Sequence, residues 1–286
     1  MLTTKNAMIF KVLLNYFQAS TNPKLLKKFN SEEAKVINAQ KTAIVEPDLF
    51  FKWPKELIMR THYSWLARVI QTVPEYLQQA MVNAFPEPVA HKLKLFLKFP
   101  EFPGDLGEPL KEFLLKIFFQ YWHPMETLPI AYFPETNLSP LLKLSKDSLI
   151  KLISYLALQD VANLIRLTVD KTTLKNVYAC LDQKQREYMR ICLHYKVKLN
   201  FPKLNLSNWN GKPEVFENIL QYFGMLRMAK ALSGHSESFL WMITHALDTG
   251  RGSMIEKNYE TQKIPGISDH LAQQIIFLLN FLNLKT

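Results

Sequence analysis

The chain has 286 residues and a formal net charge of +10; 48% of its residues are hydrophobic, 8 are glycine and 16 are proline. So apolar a composition excludes a disordered chain, and the length allows two or three small domains. Scarce glycine argues against phosphate-cradling loops and tight hairpins, and the basic excess favours polyanions without being a nucleic-acid signature.

The N-terminal piece, 1–58, carries two or three helices and ends at LFFKWP. Its start, MLTTKNAMIFKVLLNYF, is not expected to be a cleavable signal, because Lys11 and Asn15 interrupt the apolar run and no small-residue cleavage site follows. The densest lysine group, Lys24, Lys27 and Lys28, is small. Trp53 in LFFKWP belongs to no helical stripe, which makes it either a packed linker residue or an anchor for a partner helix.

Residues 59–122 read as a helical domain. Leu66, Val69, Ile70 and Val73 fall at i, i+3, i+4, i+7, as do Leu77, Ala80, Met81 and Ala84. Pro74 and Pro86 fit first-turn positions, where a missing N–H costs little. The proline- and glycine-bearing stretch 98–109 breaks the pattern, and 123–144, which contains HPMETLPIAYFPETNLSP, reads as the main linker.

From 145 to 286 the helical spacing returns. Leu149, Leu152, Ile153 and Leu156 repeat it, followed by the sets ending at Leu181, Tyr195, Phe223 and Ala246. Asp170 and Asp182 are placed to cap helices, and Ser268 followed by Asp269 starts the last one. The segment 198–213 is a loop, KVKLNF at 196–201 is the one short strand candidate, and 250–267 is a further loop. The expected fold is all-α: stacked short helices and helical hairpins of roughly 8–15 residues, armadillo-like, in two or three small domains. The segments 65–97 and 163–195 share a layout, either from internal duplication or because amphipathic hairpins resemble one another.

Chemistry is harder to find. None of the seven histidines forms an HxxxH pair or a HExxH motif, and there is no Walker loop, GxGxxG turn or GxSxG elbow. Cys192 and His194 lie two apart on one predicted helix, so their side chains diverge. Cys180 and Cys192 fit no zinc spacing and read as buried free thiols in a reducing compartment. No catalytic residue, metal or cofactor is expected. The longest apolar stretches, at 113–122 and 275–282, fall short of the ~20 residues that span a bilayer. The expected location is cytoplasmic, with peripheral membrane contact.

Three stretches carry a resemblance. THYSWLARVIQTVPEYLQQAMVNAFPEPVAHKLKLF (61–96) resembles the middle domain of the FliG rotor-switch family, which opens with Glu-His-Pro-Gln; His62 and Pro74 match, whereas Thr61, Tyr63 and Ser64 depart. LQDVANLIRLTVDKTTLKNVYACLDQKQREYMRICL (158–193) resembles the family's C-terminal armadillo motif, with Asp160, Leu164, Arg166, Val169, Asp170 and Leu174 matching in kind and order. GMLRMAKALSGHSESFLWMITHALDTGRG (224–252) resembles its Gly-Pro-Val-Arg helix, through Gly224, Arg227 and Gly250. The acidic ridge that precedes that helix in rotating members is absent from NILQYF (218–223), so torque generation is not expected.

The resemblance implies a non-catalytic scaffold, similar to a SctK-type adaptor joining the membrane ring of a type III secretion system to its cytoplasmic platform. Such a role belongs to protein transport and virulence. Its partners would be secretion-apparatus proteins, and its site residues Trp53, His62, Tyr63 and Trp65 together with Met225, Arg227 and Met228; each of these is equally well explained by packing. The rival readings are a basic helical nucleic-acid-binding protein, a secreted effector of the same system, and an enzyme assembled from distant residues.

Overall fold

The computed structural model describes residues 4–18, 28–40, 46–101, 104, 106–122, 127–195, 202, 204–206 and 209–284. It is all-helical: the described residues form fourteen α-helices and two 3-10 turns, stacked on one another, and include no strand. The candidate strand 196–201 lies outside the described residues. The chain divides into two compact units, Met1–Glu135 and Thr136–Thr286.

The first unit holds α1 (Thr4–Gln18), α2 (Ser31–Ala39), α3 (Asp48–Arg60), α4 (Tyr63–Ile70), α5 (Glu75–Ala84), α6 (Glu87–Leu97) and α7 (Glu108–Trp122). Pro74 and Pro86 stand at the N-caps of α5 and α6, one position before the first turn. The packing of α3 to α7 is apolar: Leu66, Ile70, Met81, Leu93 and Phe118 meet in one cluster, with Phe85 edge-on to Phe118 at 4.7 Å. LFFKWP does not end a segment, since α3 runs through Pro54. Trp53, Leu57 and Ile58 are all buried on it. That burial, worth several kcal/mol together, outweighs the backbone hydrogen bond the proline removes.

The second unit begins with a 3-10 turn, Ser139–Lys143, and continues with α8 (Lys146–Ile165), α9 (Lys171–Cys180), α10 (Gln183–His194), α11 (Pro213–Leu232), α12 (Glu237–Ala246), α13 (Thr249–Asn258) and α14 (Ser268–Phe281). At 20 residues each, α8 and α11 exceed the expected lengths. Each contains a run that is buried on every side, residues 152–162 of α8 and 224–229 of α11, the mark of a helix segment enclosed by others. By length and composition alone α8 could cross a membrane, a property expected of no segment; here it is a core helix.

The crossing of α8 and α11 is close. A Cβ on Gly224 would lie 1.9 Å from the Ile153 carbonyl oxygen, so only glycine fits. Asp170 caps α9 by accepting the Thr172 and Thr173 N–H groups, and Asp182 forms a capping box with Gln185. Ser268 acts differently from the expectation. It is the first residue of α14, and its hydroxyl donates to the Lys230 carbonyl at 2.8 Å, tying α14 to α11.

Candidate functional site

Inside the second unit a buried polar network joins four helices. Asp160 of α8 and Arg227 of α11 are both buried. Nε and Nη2 of Arg227 donate to the two carboxylate oxygens at 2.6 and 2.7 Å, a fork-to-fork pairing. The remaining nitrogen, Nη1, donates to Gln274 Oε1 of α14 at 3.0 Å. The Gln274 amide in turn donates to the Tyr188 hydroxyl of α10 at 3.0 Å and to the Leu156 carbonyl at 3.4 Å. Removing two charges from water is costly, and this pair offsets the cost by bidentate geometry and a satisfied third donor.

Above the network a cavity of about 330 Å³ opens between α10 and α14, lined by Gln159, Tyr188, Ile191, Cys192, His270 and Phe277 among others. Burial favours the neutral form of three of the groups that line it. Burial pushes the Cys192 thiol up to about 11 and the Tyr188 hydroxyl further up, and burial followed by the Arg227 charge pulls His270 below its ordinary value. A thiol so raised is a packing group at neutral pH, not a nucleophile. Cys180, expected to be buried, is only half-buried.

At the cavity's rim, Arg166 closes the end of α10. Its Nη2 donates to the carbonyls of Cys192, Leu193 and Tyr195 at 2.7, 2.9 and 3.1 Å, and Nη1 donates to Asn163 at 2.6 Å. A cation there satisfies terminal carbonyls and complements the helix dipole.

Two further polar clusters brace the unit. The Glu217 carboxylate accepts from Ser154 at 2.7 Å and from Gln221 at 3.2 Å; Gln221 accepts from Arg251 at 3.1 Å, and Arg251 is paired with Asp248 at 2.6 Å. Elsewhere, His245 stacks on Trp241 at 4.0 Å. Burial drives its ring down to about 4, against the opposing effect of the Trp241 carbonyl. Glu256 lies 3.7 Å away, but its near oxygen already accepts from Thr244 at 2.8 Å, and a ring stripped of water stays neutral.

The sequence-predicted residues divide. Met225, Arg227 and Met228 are buried. They are core residues and present no surface to a partner, because the second half of α11, from Gly224 to Leu232, is enclosed by its neighbours, whereas exposed residues such as Val215 and Tyr222 lie in its first half. Trp53 is buried too, with its indole N–H among the buried groups that lack an acceptor. His62, Tyr63 and Trp65 are half-buried on α4 and the residue before it. His62 caps α4 by accepting the Ser64 N–H at 3.3 Å. The Tyr63 ring meets the exposed Phe96 edge-on at 5.5 Å, and Arg68 lies 5.6 Å over Trp65.

Sequence reading singled out Asp160 and Arg227 in different stretches and did not foresee that they bond. Gln274, Tyr188 and Gln159 were missed. A signal was present: Gln159 and Asp160 sit in the middle of ISYLALQDVANLI, where a polar pair needs a partner. Among the described residues, no group of three His, Cys, Asp or Glu side chains comes together to hold a metal ion. Comparison with protein-family models, with curated proteins and with solved structures found no match.

Proposed function

We propose that the chain is a non-catalytic adaptor in the cytoplasmic platform of a type III secretion-type apparatus, linking the membrane ring to cytoplasmic ring or sorting components. The observation that carries this reading is the Asp160–Arg227 bond. Two separate stretches bear the resemblance to one C-terminal domain, 158–193 and 224–252, and the matched residue of one grips the matched residue of the other in the core. Segments inherited together from one fold would meet in this way; unrelated helix punctuation gives no reason to.

Contact with a partner falls to the first unit, where Tyr63, flanked by His62 and followed on α4 by Trp65, meets the exposed Phe96, the neighbour of exposed Leu95 on α6. Aromatic anchors of this kind contribute a few kcal/mol each when desolvated by a partner. The test is affinity capture of the tagged chain from its native cells with mass spectrometry of bound proteins. Secretion-ring, stalk or ATPase-complex proteins are expected, with recovery at least tenfold lower for Tyr63→Ser/Phe96→Ser. Recovery of nucleic acid and ribosomal proteins alone sinks the adaptor reading and promotes the basic-surface one.

A further inference from the structure

The turn between α8 and α9 presents apolar side chains to solvent with no return in folding. Leu167 is 79% exposed and Val169 92% exposed. The turn is nevertheless well made. Leu167 N–H donates to the Leu164 carbonyl at 2.9 Å and Thr168 N–H to that of Ile165 at 3.2 Å. The polar side chains within it are consumed locally: the Thr168 hydroxyl donates to the Leu164 carbonyl at 2.9 Å, and the Asp170 carboxylate accepts from Thr172 and Thr173 at 3.1, 2.9 and 2.6 Å. The Arg166 clamp brings the end of α10 alongside, with Tyr195 69% exposed beside the turn.

The result is an exposed apolar tip in which the Leu167 and Thr168 N–H groups and the Thr168 and Asp170 side chains already have partners. Such a tip can enter a medium that offers few hydrogen bonds, because little further has to be given up. Tyrosine is the side chain suited to the boundary of that medium, with an apolar ring and a polar end. Exposed cations stand on the helices behind it: Lys171 and Lys175 on the first turns of α9, and Arg190 near the end of α10. Asp170, the acid in the turn, is exposed, but its charge is engaged by the Thr172 and Thr173 groups at the start of α9, while Asp182 and Glu187 lie further along α10 from Tyr195.

We propose that Leu167, Val169 and Tyr195 form a tip that docks on an anionic lipid surface, with Lys171, Lys175 and Arg190 at the level of the phosphates. An apolar projection backed by cations complements a bilayer interface, into which side chains sink a few ångströms while cations remain at the headgroups. A protein partner would need a socket shaped to receive a convex tip. This inference does not depend on the adaptor reading: either can fail while the other stands.

The test is cosedimentation of the purified full chain with phosphatidylcholine vesicles, with and without phosphatidylserine. The wild type should bind the phosphatidylserine vesicles preferentially, and less so as salt is raised. Leu167→Ser/Val169→Ser should lower the partition coefficient roughly tenfold or more without changing the thermal midpoint, because both side chains are already in solvent. Lys171→Glu/Lys175→Glu should remove most of the preference for phosphatidylserine. Wild-type chain that binds neither vesicle overturns the proposal. So does unchanged binding by the serine variant, which would assign binding to diffuse charge alone. Self-association lost in the serine variant, without vesicle binding, also overturns it and assigns the tip to a second copy of the chain.

Discussion

The hairpin α5–α6 of the first unit and the hairpin α9–α10 of the second are built to nearly one measure. The helices have 10 and 11 residues in one and 10 and 12 in the other, and two residues join each pair. They are held by different physics. In the first unit, prolines start both helices without a side-chain hydrogen bond, and an apolar cluster with Phe85 against Phe118 secures them. In the second, aspartates start both helices, Arg166 binds the end of α10, and the Asp160–Arg227 pair lies in the core that α10 helps to enclose. Matching length and punctuation therefore do not specify what kind of core a hairpin will meet. Apolar contacts can slide and repack, whereas a bidentate ion pair accepts one register.

That contrast can be broken most sharply at Gly224. Gly224→Val should destabilise the second unit by about 5 kcal/mol or prevent its folding, since the Ile153 backbone has no room to yield. Hydrogen exchange resolved by peptide would report it, with the peptides of α4 to α7 left protected. If those peptides lose protection equally, the two units do not unfold independently.

Next in size is the ion pair. Arg227→Leu should cost about 3–5 kcal/mol, because it leaves a buried carboxylate unpaired. Arg227→Leu combined with Asp160→Leu should recover most of that loss in a denaturant titration. A double variant no better than the single would mean that the pair supplies stability rather than register.

Lowering the pH offers a third probe. The His245 ring is held down to about 4 in the fold against 6.5 when unperturbed, so between those values the unfolded chain binds a proton that the folded chain refuses. Stability contributed by the neutral ring is thus fully present above pH 6.5 and falls towards pH 4, by up to about 3 kcal/mol. His235 and His270, also lowered mainly by burial, act in the same direction. His245→Gln should flatten part of the slope of the thermal midpoint with pH; an unchanged slope would show that His245 is not its source.

The smallest effect is expected in the apolar core. Leu66→Met keeps the volume of a fully buried side chain and should cost less than about 1.5 kcal/mol. A loss as large as that of Arg227→Leu would erase the distinction between the two cores.

Most helices and helix starts were legible from residue order, because both are local. The exception is α13, whose residues Thr249–Asn258 read as part of a loop at 250–267, because their glycines and weak apolar stripe hide a helix capped by Asp248. A stripe at i, i+3, i+4, i+7 and an aspartate before it act within a few residues, and α4, α9 and α10 form where those signals stand. Less was legible where local signals conflict with burial: Pro54 marked an end that the packing of Trp53 and Leu57 overrode. The candidate site was least legible. Arg227 drew attention as a surface contact and proved to be the centre of the core.

By itself, then, the sequence determined that this chain is helical, roughly where most of its helices begin, and which face of most of them is apolar, because backbone hydrogen bonds, capping and side-chain periodicity are short-range. Only the tertiary structure decided that Asp160 meets Arg227, that Gly224 admits the Ile153 backbone, and that Leu167 and Val169 are left outside. Those outcomes depend on residues tens of positions apart coming within a few ångströms, and nothing in local spacing encodes that distance.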